Sequence, residues 1–332
     1  MAILNRFTRA ERESIYSGAN AAVWHSHRLA NESAKHTPRE EDYVATLVTD
    51  AIPFLVKRWG SLLGPKGIEL KVSGVFCHGH PQVAFGAPKK RVELADLLVV
   101  HQHATKHRTR TRAVLVQAKT SIDATHRLPA GDPQLELFST WPRFEFVTGG
   151  LTPGLRNLKE VGKGSRYALV HAEFAYPEVI TWADQCPWAA CSAGQLLSAE
   201  LSFARLLGDM LFGKDGRVVR IHSPRDDWSR TIKELLEVTG KKTYRRANIG
   251  RGNAPRGSTS TAGKANLMFF AQSPSFLVGG GSQLRLAASE RFFGSVSAVS
   301  VDGLSDDPPR SEQRDGGGGM STLILETRDR DQ

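Results

Sequence analysis

The stretch ELADLLVVHQHATKHRTRTRAVLVQAK, residues 93–119, contains two apolar runs joined by a long basic segment. The β-branched residues and the alternation of polar and apolar positions predict two strands of an antiparallel sheet. Gln117 and Lys119 are separated by one residue, so they project from the same face of the second strand. If the two strands pair, Asp96 of the first run meets them.

These three side chains form a combination that suits phosphate chemistry. The Asp96 carboxylate and the Gln117 amide oxygen are hard ligands of the kind that Mg²⁺ prefers. The Lys119 ammonium would lie within reach of a phosphate or of an attacking water. The ordinary alternatives are an acid at a strand end and a solvated surface cation.

The segment before this stretch predicts a helix and a further strand. Residues 36–60, HTPREEDYVATLVTDAIPFLVKRWG, predict a helix with Thr37 as cap, Pro38 at the first position and Glu40 closing a capping box. Glu41 lies one turn before Val44 on the inward stripe of that helix, and the helix dipole is an ordinary reason for an acid there. GIELKVSGVFCHG, residues 67–79, is expected to complete a three-stranded antiparallel meander with the two later strands.

The segment after it predicts further helices and strands. Asp132 and Pro133 open a short helix in GDPQLELFST that Pro142 should stop. The expected strands are FEFVTGG, SRYALVHAEF and GRVVRIHS, and the expected helices are SAGQLLSAELSFARLLGDMLFG, from Ser192, and DDWSRTIKELLEVTG.

Two of these motifs carry a resemblance to a known superfamily. ELAD followed by VLVQAK resembles the core of the PD-(D/E)xK nucleases, in which Asp-X(n)-(Glu/Asp/Gln)-X-Lys lines the metal site. The QAK form is similar to that of the Mrr-like restriction nucleases. DPQLELF resembles the Gln-Leu-x-x-Tyr helix of RecB-type nucleases, with Phe138 where the tyrosine would stand. The resemblance covers the chain from about Glu41 to Phe138.

The resemblance implies a fold and a set of roles. The fold would be α/β, with a restriction-endonuclease-like core of mixed sheet flanked by helices and additional C-terminal α/β elements. Asp96 would be the principal ligand of Mg²⁺, or alternatively Mn²⁺, with Gln117 and Glu41 as further ligands. Lys119 would orient the water and stabilise the phosphorane, and Gln134 would support the site. Gln in place of Glu at position 117 removes a negative charge and weakens the affinity for metal.

Glu93 is an alternative acid for the same site. It lies three residues before Asp96, and this odd spacing places it on the opposite face of the strand unless a bulge intervenes.

The charge of the chain favours a polyanionic partner. The formal net charge is +10, and between Lys89 and Arg127 basic residues outnumber acidic ones by nine to three. The basic segment between the two strands is expected to contact DNA phosphates through Lys106, Arg108, Arg110 and Arg112. A solubilising surface is the alternative. The resemblance implies cleavage of DNA in restriction or anti-phage defence, by a homodimer or with partner proteins of a defence system.

Composition divides the chain into four parts. These are a helical extension (1–36), the nuclease-like core (37–240), a basic Gly/Ser-rich loop (241–265) and a β-rich segment (266–332) with a disordered insert (302–319). No apolar run reaches the roughly 18 residues that span a bilayer, and no secretory signal is visible, so a cytoplasmic protein without membrane contact is expected.

Two other functions compete with the nuclease. One is a DNA-binding or assembly subunit whose metal site has degenerated, which Gln117 favours. The other is a zinc-stabilised nucleic-acid-binding module, although the spacing of its candidate ligands repeats no compact Cys/His pattern. Those candidates are Cys77, His78, His80, His101, His103 and His107.

Overall fold

The structure, a computed structural model, describes residues 3–34, 37–77, 81–159, 162–173, 182–241, 258–261, 264–272 and 319–330. It is a mixed α/β fold with a multi-stranded mixed sheet flanked by helices, which confirms the predicted class at this level. Of the predicted disordered insert (302–319), only Gly319 is described. Of the predicted basic loop (241–265), the structure describes 241, 258–261 and 264–265, and the last two of these segments are strands and not loop.

The helices and strands are numbered in chain order. The helices are α1 (Arg9–Ser33), α2 (Glu40–Leu47), α3 (Ala51–Leu63), α4 (Pro133–Thr140), α5 (Phe203–Phe212) and α6 (Asp227–Lys241). The strands are β1 (Ile68–Val75), β2 (Gln82–Phe85), β3 (Lys90–Glu93), β4 (Leu97–Ala104), β5 (Thr109–Ser121), β6 (Thr125–Arg127), β7 (Glu145–Phe146), β8 (Ser165–His171), β9 (Trp188–Cys191), β10 (Leu196–Ser198), β11 (Leu201–Ser202), β12 (Arg217–Val219), β13 (Ser258–Thr261), β14 (Lys264–Gln272) and β15 (Ser321–Asp329).

The main sheet has the order β11-β9-β8-β5-β4-β15-β1-β14-β13, with β12 also paired to β5. β4 and β5 are antiparallel, whereas β8 is parallel to β5 and β15 is parallel to β4. The predicted meander is therefore wrong at one point, because β15 separates β1 from β4. Leu323 pairs with Val99 on one side and with Gly74 on the other. β15 suits this central place because Leu323, Ile324 and Leu325 are all buried, as strands covered on both faces require.

Two layers cover the sheet. On the side we call the α1 face, helices α1, α2, α3 and α5 pack on residues such as Val116. On the opposite side, which we call the α4 face, α4, α6 and a small sheet of β3, β2 and β7 pack on residues such as Leu115. Helix α1 belongs to this core, since Ile15, Ala19 and Val23 are fully buried. Residues 9–33 thus share one core with the sheet.

The single helix predicted over residues 37–60 is wrong, because two helices are present. α2 begins at Glu40, and the Arg39 backbone N–H donates to the Asp42 carboxylate at 2.9 Å. The helix breaks between Val48 and Asp50 before α3 begins. At this break β1 comes so close that a Cβ added to Gly74 would lie 1.8 Å from the carbonyl oxygen of Val48.

The helix predicted from Ser192 also begins later than expected. α5 begins at Phe203, where the Ser202 hydroxyl accepts the backbone N–H of Arg205 at 3.1 Å. Leu196 and Leu197 lie instead on β10, which pairs with β6. Leu196 is 51% exposed and Leu197 is buried, which is the alternation of a strand.

The other two predicted helices are confirmed. α4 begins at Pro133, and the Asp132 carboxylate accepts the backbone N–H of Leu135 at 2.8 Å. It ends at Thr140, shortly before Pro142, and α6 covers the segment predicted from Asp226 to Gly240 within a residue. Among the helices of the described ranges, none combines the length and the apolar character needed to cross a bilayer.

Two buried histidines give the fold a predictable dependence on pH. Burial lowers the pKa of His27 to about 4 and that of His101 to about 3. Both imidazoles therefore stay neutral in the folded protein below the ordinary pKa of about 6.5, where the unfolded chain takes up protons. The contribution of these histidines to the free energy of unfolding is fully present above the unfolded pKa of about 6.5. It is lost as the pH falls from there toward their pKa values in the folded protein.

We expect His27 and His101 to lower the free energy of unfolding by about 3 kcal/mol between pH 7.5 and pH 5.5, at about 1.4 kcal/mol for each histidine. The pKa values of His25 and His103 are also lowered by burial, and these two histidines add to the fall. Guanidinium unfolding curves at the two pH values measure this difference. The His101→Asn variant should lose the His101 share of this pH dependence, about 1.4 kcal/mol. Equal stability at both pH values would contradict the buried neutral state of these side chains.

Candidate active site

Asp96 stands at the entrance to the hairpin of β4 and β5. Its backbone N–H donates to the Val116 carbonyl at 3.0 Å, which extends the pairing of the two strands by one residue. Asp96 is buried, and its carboxylate accepts the Ala118 backbone N–H at 2.7 Å. The Gln117 amide nitrogen also donates to it. The contact between Asp96 and Gln117 expected from the sequence is therefore present.

Gln134 extends this contact to a third element. Its amide nitrogen donates to the Gln117 side-chain oxygen at 2.6 Å and, at 3.4 Å, to the backbone carbonyl of Glu93. Gln134 occupies the first turn of α4, which the Asp132 cap holds in place. Asp96, Gln117 and Gln134 thus form a hydrogen-bonded series, which we call the amide chain. Glu93 contributes to it through its backbone.

Lys119 lies on the same face of β5 as Gln117. Side chains alternate along a strand, so Gln117 and Lys119 project toward the α4 face, while Ala118 and Thr120 project toward the α1 face. Ala118 is buried and Lys119 is half-buried, so the Lys119 side chain is partly open to solvent. Lys119 therefore neighbours Gln117 along this face of β5.

Tyr167 is a site neighbour that the sequence did not indicate. It is the Cα partner of Gln117 across β5 and β8, and its ring packs on Phe138 with centroids 5.4 Å apart. Its side chain is fully buried, and within the described part of the chain its hydroxyl has no hydrogen-bond partner. Burial raises the pKa of Tyr167, and the nearby charges of Asp132 and Asp96 raise it further. The hydroxyl is therefore a protonated donor. The position of Tyr167 beside Gln117 follows only from the pairing of β5 with β8, which lies far along the chain.

Helix α2 reaches the end of β5 through Glu40. Its carboxylate accepts the backbone N–H of Thr120 at 3.1 Å and the hydroxyl of Thr120 at 3.2 Å. The sequence assigned Glu40 only to capping. Glu41, the predicted metal ligand, is half-buried in the same first turn. α2 covers the α1 face, whereas Gln117 projects toward the α4 face, so Glu41 has less geometric support as a ligand than Asp96.

The amide chain can be compared with what Mg²⁺ requires. Over the ranges described, no three His, Cys, Asp or Glu side chains converge as a metal centre. The amide chain offers one carboxylate and one amide oxygen. Mg²⁺ keeps several waters and commonly binds through one or two carboxylates together with substrate phosphates. This donor set fits Mg²⁺ in the presence of a phosphate, provided that Gln117 turns its oxygen toward Asp96.

The residues proposed for zinc do not form such a site in the described part of the chain. His101 and His103 each contact the Thr327 hydroxyl at 3.0 Å, and burial lowers the pKa of both. Cys77 is buried and His107 is exposed, whereas His78 and His80 lie outside the described residues. The two described histidines of β4 are thus structural partners of β15.

The basic residues of the hairpin tip lie far from the amide chain. Lys106, Arg108 and Arg110 are exposed, but Arg112 is half-buried and donates to the Gly216 carbonyl at 2.6 Å. At about 3.3 Å per residue, Arg110 and Lys119 are about 30 Å apart along β5. One helical turn of DNA spans about 34 Å, so a duplex touching both ends of the hairpin would extend over about a turn.

The combined substitution Arg108→Ala with Arg110→Ala tests the tip as a DNA contact. We expect weaker binding across all sequences and a salt-dependence slope that is lower by nearly two units, because each lost phosphate contact contributes about 0.9. Fluorescence anisotropy over a series of salt concentrations measures the slope. The exposed Lys163→Ala variant is the control. An unchanged slope would count against the tip as a DNA contact.

Comparison of the chain with protein-family models, with curated proteins and with solved structures found no match. Conclusions about function therefore depend on the residues of the site and their arrangement.

Proposed function

We propose that the chain is a Mg²⁺-dependent nuclease with a restriction-endonuclease-like core that hydrolyses DNA phosphodiester bonds. The supporting observation is the hydrogen bond that Gln117 donates to Asp96, with Lys119 two residues further along the same face of β5. The order of helix, Asp strand, QxK strand and QL helix along the chain agrees with the resemblance. The net charge of +10 suits a nucleic-acid substrate.

The roles of the residues follow from their positions. Asp96 and Gln117 would hold Mg²⁺, or Mn²⁺ in its place, and the ion would make a bound water more acidic and neutralise phosphate charge. Lys119 would donate to a phosphate oxygen and stabilise the charge that develops there. The Ala118 N–H fixes the Asp96 carboxylate, and Gln134 positions Gln117.

The cellular setting is part of the same proposal. The nuclease would act on DNA in restriction or anti-phage defence, because the families it resembles serve there. A homodimer would place two such sites on one duplex and cut both strands. Partner proteins of a defence system would supply the activating signal.

A second candidate is a DNA-binding or assembly subunit that has lost its metal site. The observation in its favour is that the amide chain contains one carboxylate, and that Gln117 turns a donor toward it. A site with a single negative charge binds a divalent cation weakly in the absence of substrate.

Incubation with supercoiled plasmid and Mg²⁺ separates the two candidates. The nuclease should produce nicked or linear DNA, and EDTA should abolish the cutting. Asp96→Ala should do the same, whereas Glu237→Ala, a substitution of an exposed acid on α6, should not. DNA that is bound but left uncut with both Mg²⁺ and Mn²⁺ would reject the nuclease and favour the second candidate.

A further inference from the structure

The amide chain has a defined direction. Gln117 donates its nitrogen to Asp96 and accepts Gln134 with its oxygen. Asp96 is buried, and a buried carboxylate is costly unless donors compensate its charge. The Gln117 amide and the Ala118 N–H supply that compensation. A glutamate at position 117 could not donate in this way at neutral pH.

Binding of a cation reverses the requirement at Gln117. A divalent ion at Asp96 attracts the amide oxygen and repels the N–H donors. The two ends of a glutamine amide are nearly equal in size, so a half-turn about the terminal bond exchanges them within the same space. After that half-turn, Gln117 presents N–H groups to Gln134.

Gln134 cannot keep its orientation when Gln117 turns. In the structure, the side-chain nitrogen of Gln134 donates to the side-chain oxygen of Gln117 at 2.6 Å. Two amide nitrogens facing each other at that distance would both be donors without an acceptor. Gln134 must therefore turn as well and accept with its oxygen, at the cost of its long 3.4 Å contact to the Glu93 carbonyl.

We propose that Gln117 and Gln134 act as a two-state relay in which a divalent cation at Asp96 inverts both amides together. Gln134 then sets the affinity for the cation without touching it. This inference rests on the proposed cation site at Asp96. It gives Gln117 a specific use, since the amide compensates Asp96 in one state and ligates the ion in the other.

The substitution Gln134→Glu tests the relay. A carboxylate at position 134 accepts from Gln117 and cannot donate to it, so it favours the cation-binding orientation. We expect the Asp96-dependent affinity for Mn²⁺ to rise by about tenfold, since favouring one of two states shifts affinity by its population. Electron paramagnetic resonance of free Mn²⁺, without DNA and relative to Asp96→Asn, measures this affinity.

A matched variant separates the effect of the relay from the effect of an added negative charge on the affinity for the cation. Pro133→Glu adds the same charge one residue earlier on α4 and should change the affinity by less than about threefold, as expected for a partly exposed charge. Glutamine side-chain ¹⁵N spectra give a second measurement, in which saturating Mg²⁺ should shift the Gln117 and Gln134 amide signals together. The relay would be overturned if the Gln134→Glu variant bound Mn²⁺ no more tightly than the Pro133→Glu variant. It would also be overturned if the Gln134 amide signal did not shift at saturating Mg²⁺.

The relay and the nuclease fail in different ways. A relay that holds in the Mn²⁺ and NMR measurements, combined with uncut plasmid, rejects the nuclease alone. Plasmid cleavage combined with equal Mn²⁺ affinities for the two glutamate variants rejects the relay alone. Wild-type protein without Asp96-dependent Mn²⁺ binding rejects the relay, and uncut plasmid in addition rejects the nuclease as well.

Discussion

Lys119→Ala is expected to lower the rate of plasmid cleavage by about 10²–10³-fold, the typical effect of removing one donor from a developing oxyanion. Lys119 lies two residues beyond Gln117 on the same face of β5 and is half-buried. In the proposed nuclease, an ammonium group there would meet the phosphate whose oxygens gain charge as the bond breaks. Because that charge develops only in the transition state, DNA affinity should fall by only a few-fold.

Cleavage rates at saturating DNA and anisotropy titrations at the same salt separate the two effects. The control is Lys163→Ala, an exposed lysine outside the amide chain, which should leave the rate within about twofold, as surface substitutions generally do. The double variant Asp96→Ala with Lys119→Ala should be no slower than Asp96→Ala alone, because groups that act as a unit are not additive. A Lys119→Ala protein that cuts at the wild-type rate would exclude Lys119 from the chemistry.

Local sequence patterns were sufficient for the hairpin that contains the candidate site. Strand alternation placed Gln117 and Lys119 on one face, and the pairing of two adjacent runs brought Asp96 to Gln117. The Asp132 cap and Pro133 placed the helix that carries Gln134. All of these features depend on residues close together in the chain, where spacing and capping determine the geometry.

The errors concern contacts between distant parts of the chain. No local pattern indicates that β15, near the end of the sequence, enters the sheet between β1 and β4. Tyr167 reaches Gln117 only because β8 pairs in parallel with β5. The segment from Ser192 has apolar residues compatible with either a helix or a strand, and pairing with β6 decides for the strand at Leu196 and Leu197.

Gly74→Ala is expected to cost more than about 3 kcal/mol of stability, at the upper end of overpacking substitutions. The added Cβ would lie 1.8 Å from the Val48 carbonyl oxygen and 2.5 Å from the Ile52 Cδ1. Gly74 is held between Leu323 of β15 and Phe269 of β14, so β1 cannot withdraw without breaking sheet pairing. Guanidinium unfolding measures the loss. The same close approach accompanies the break between α2 and α3, where the sequence predicted one helix.

The matched control is Gly64→Ala, at the end of α3. Gly64 has helical angles and no atom within 4 Å of an added Cβ, so alanine there should be neutral or stabilising by about 0.5–1 kcal/mol. The double variant Gly74→Ala with Ile52→Val identifies the obstacle, because it removes the Ile52 methyl and leaves the Val48 carbonyl in place. We expect no recovery of stability, since backbone cannot move aside as a side-chain end does. A recovery would locate the clash in the Ile52 side chain, and a Gly74→Ala protein as stable as Gly64→Ala would contradict the close packing of β1 against this helix break.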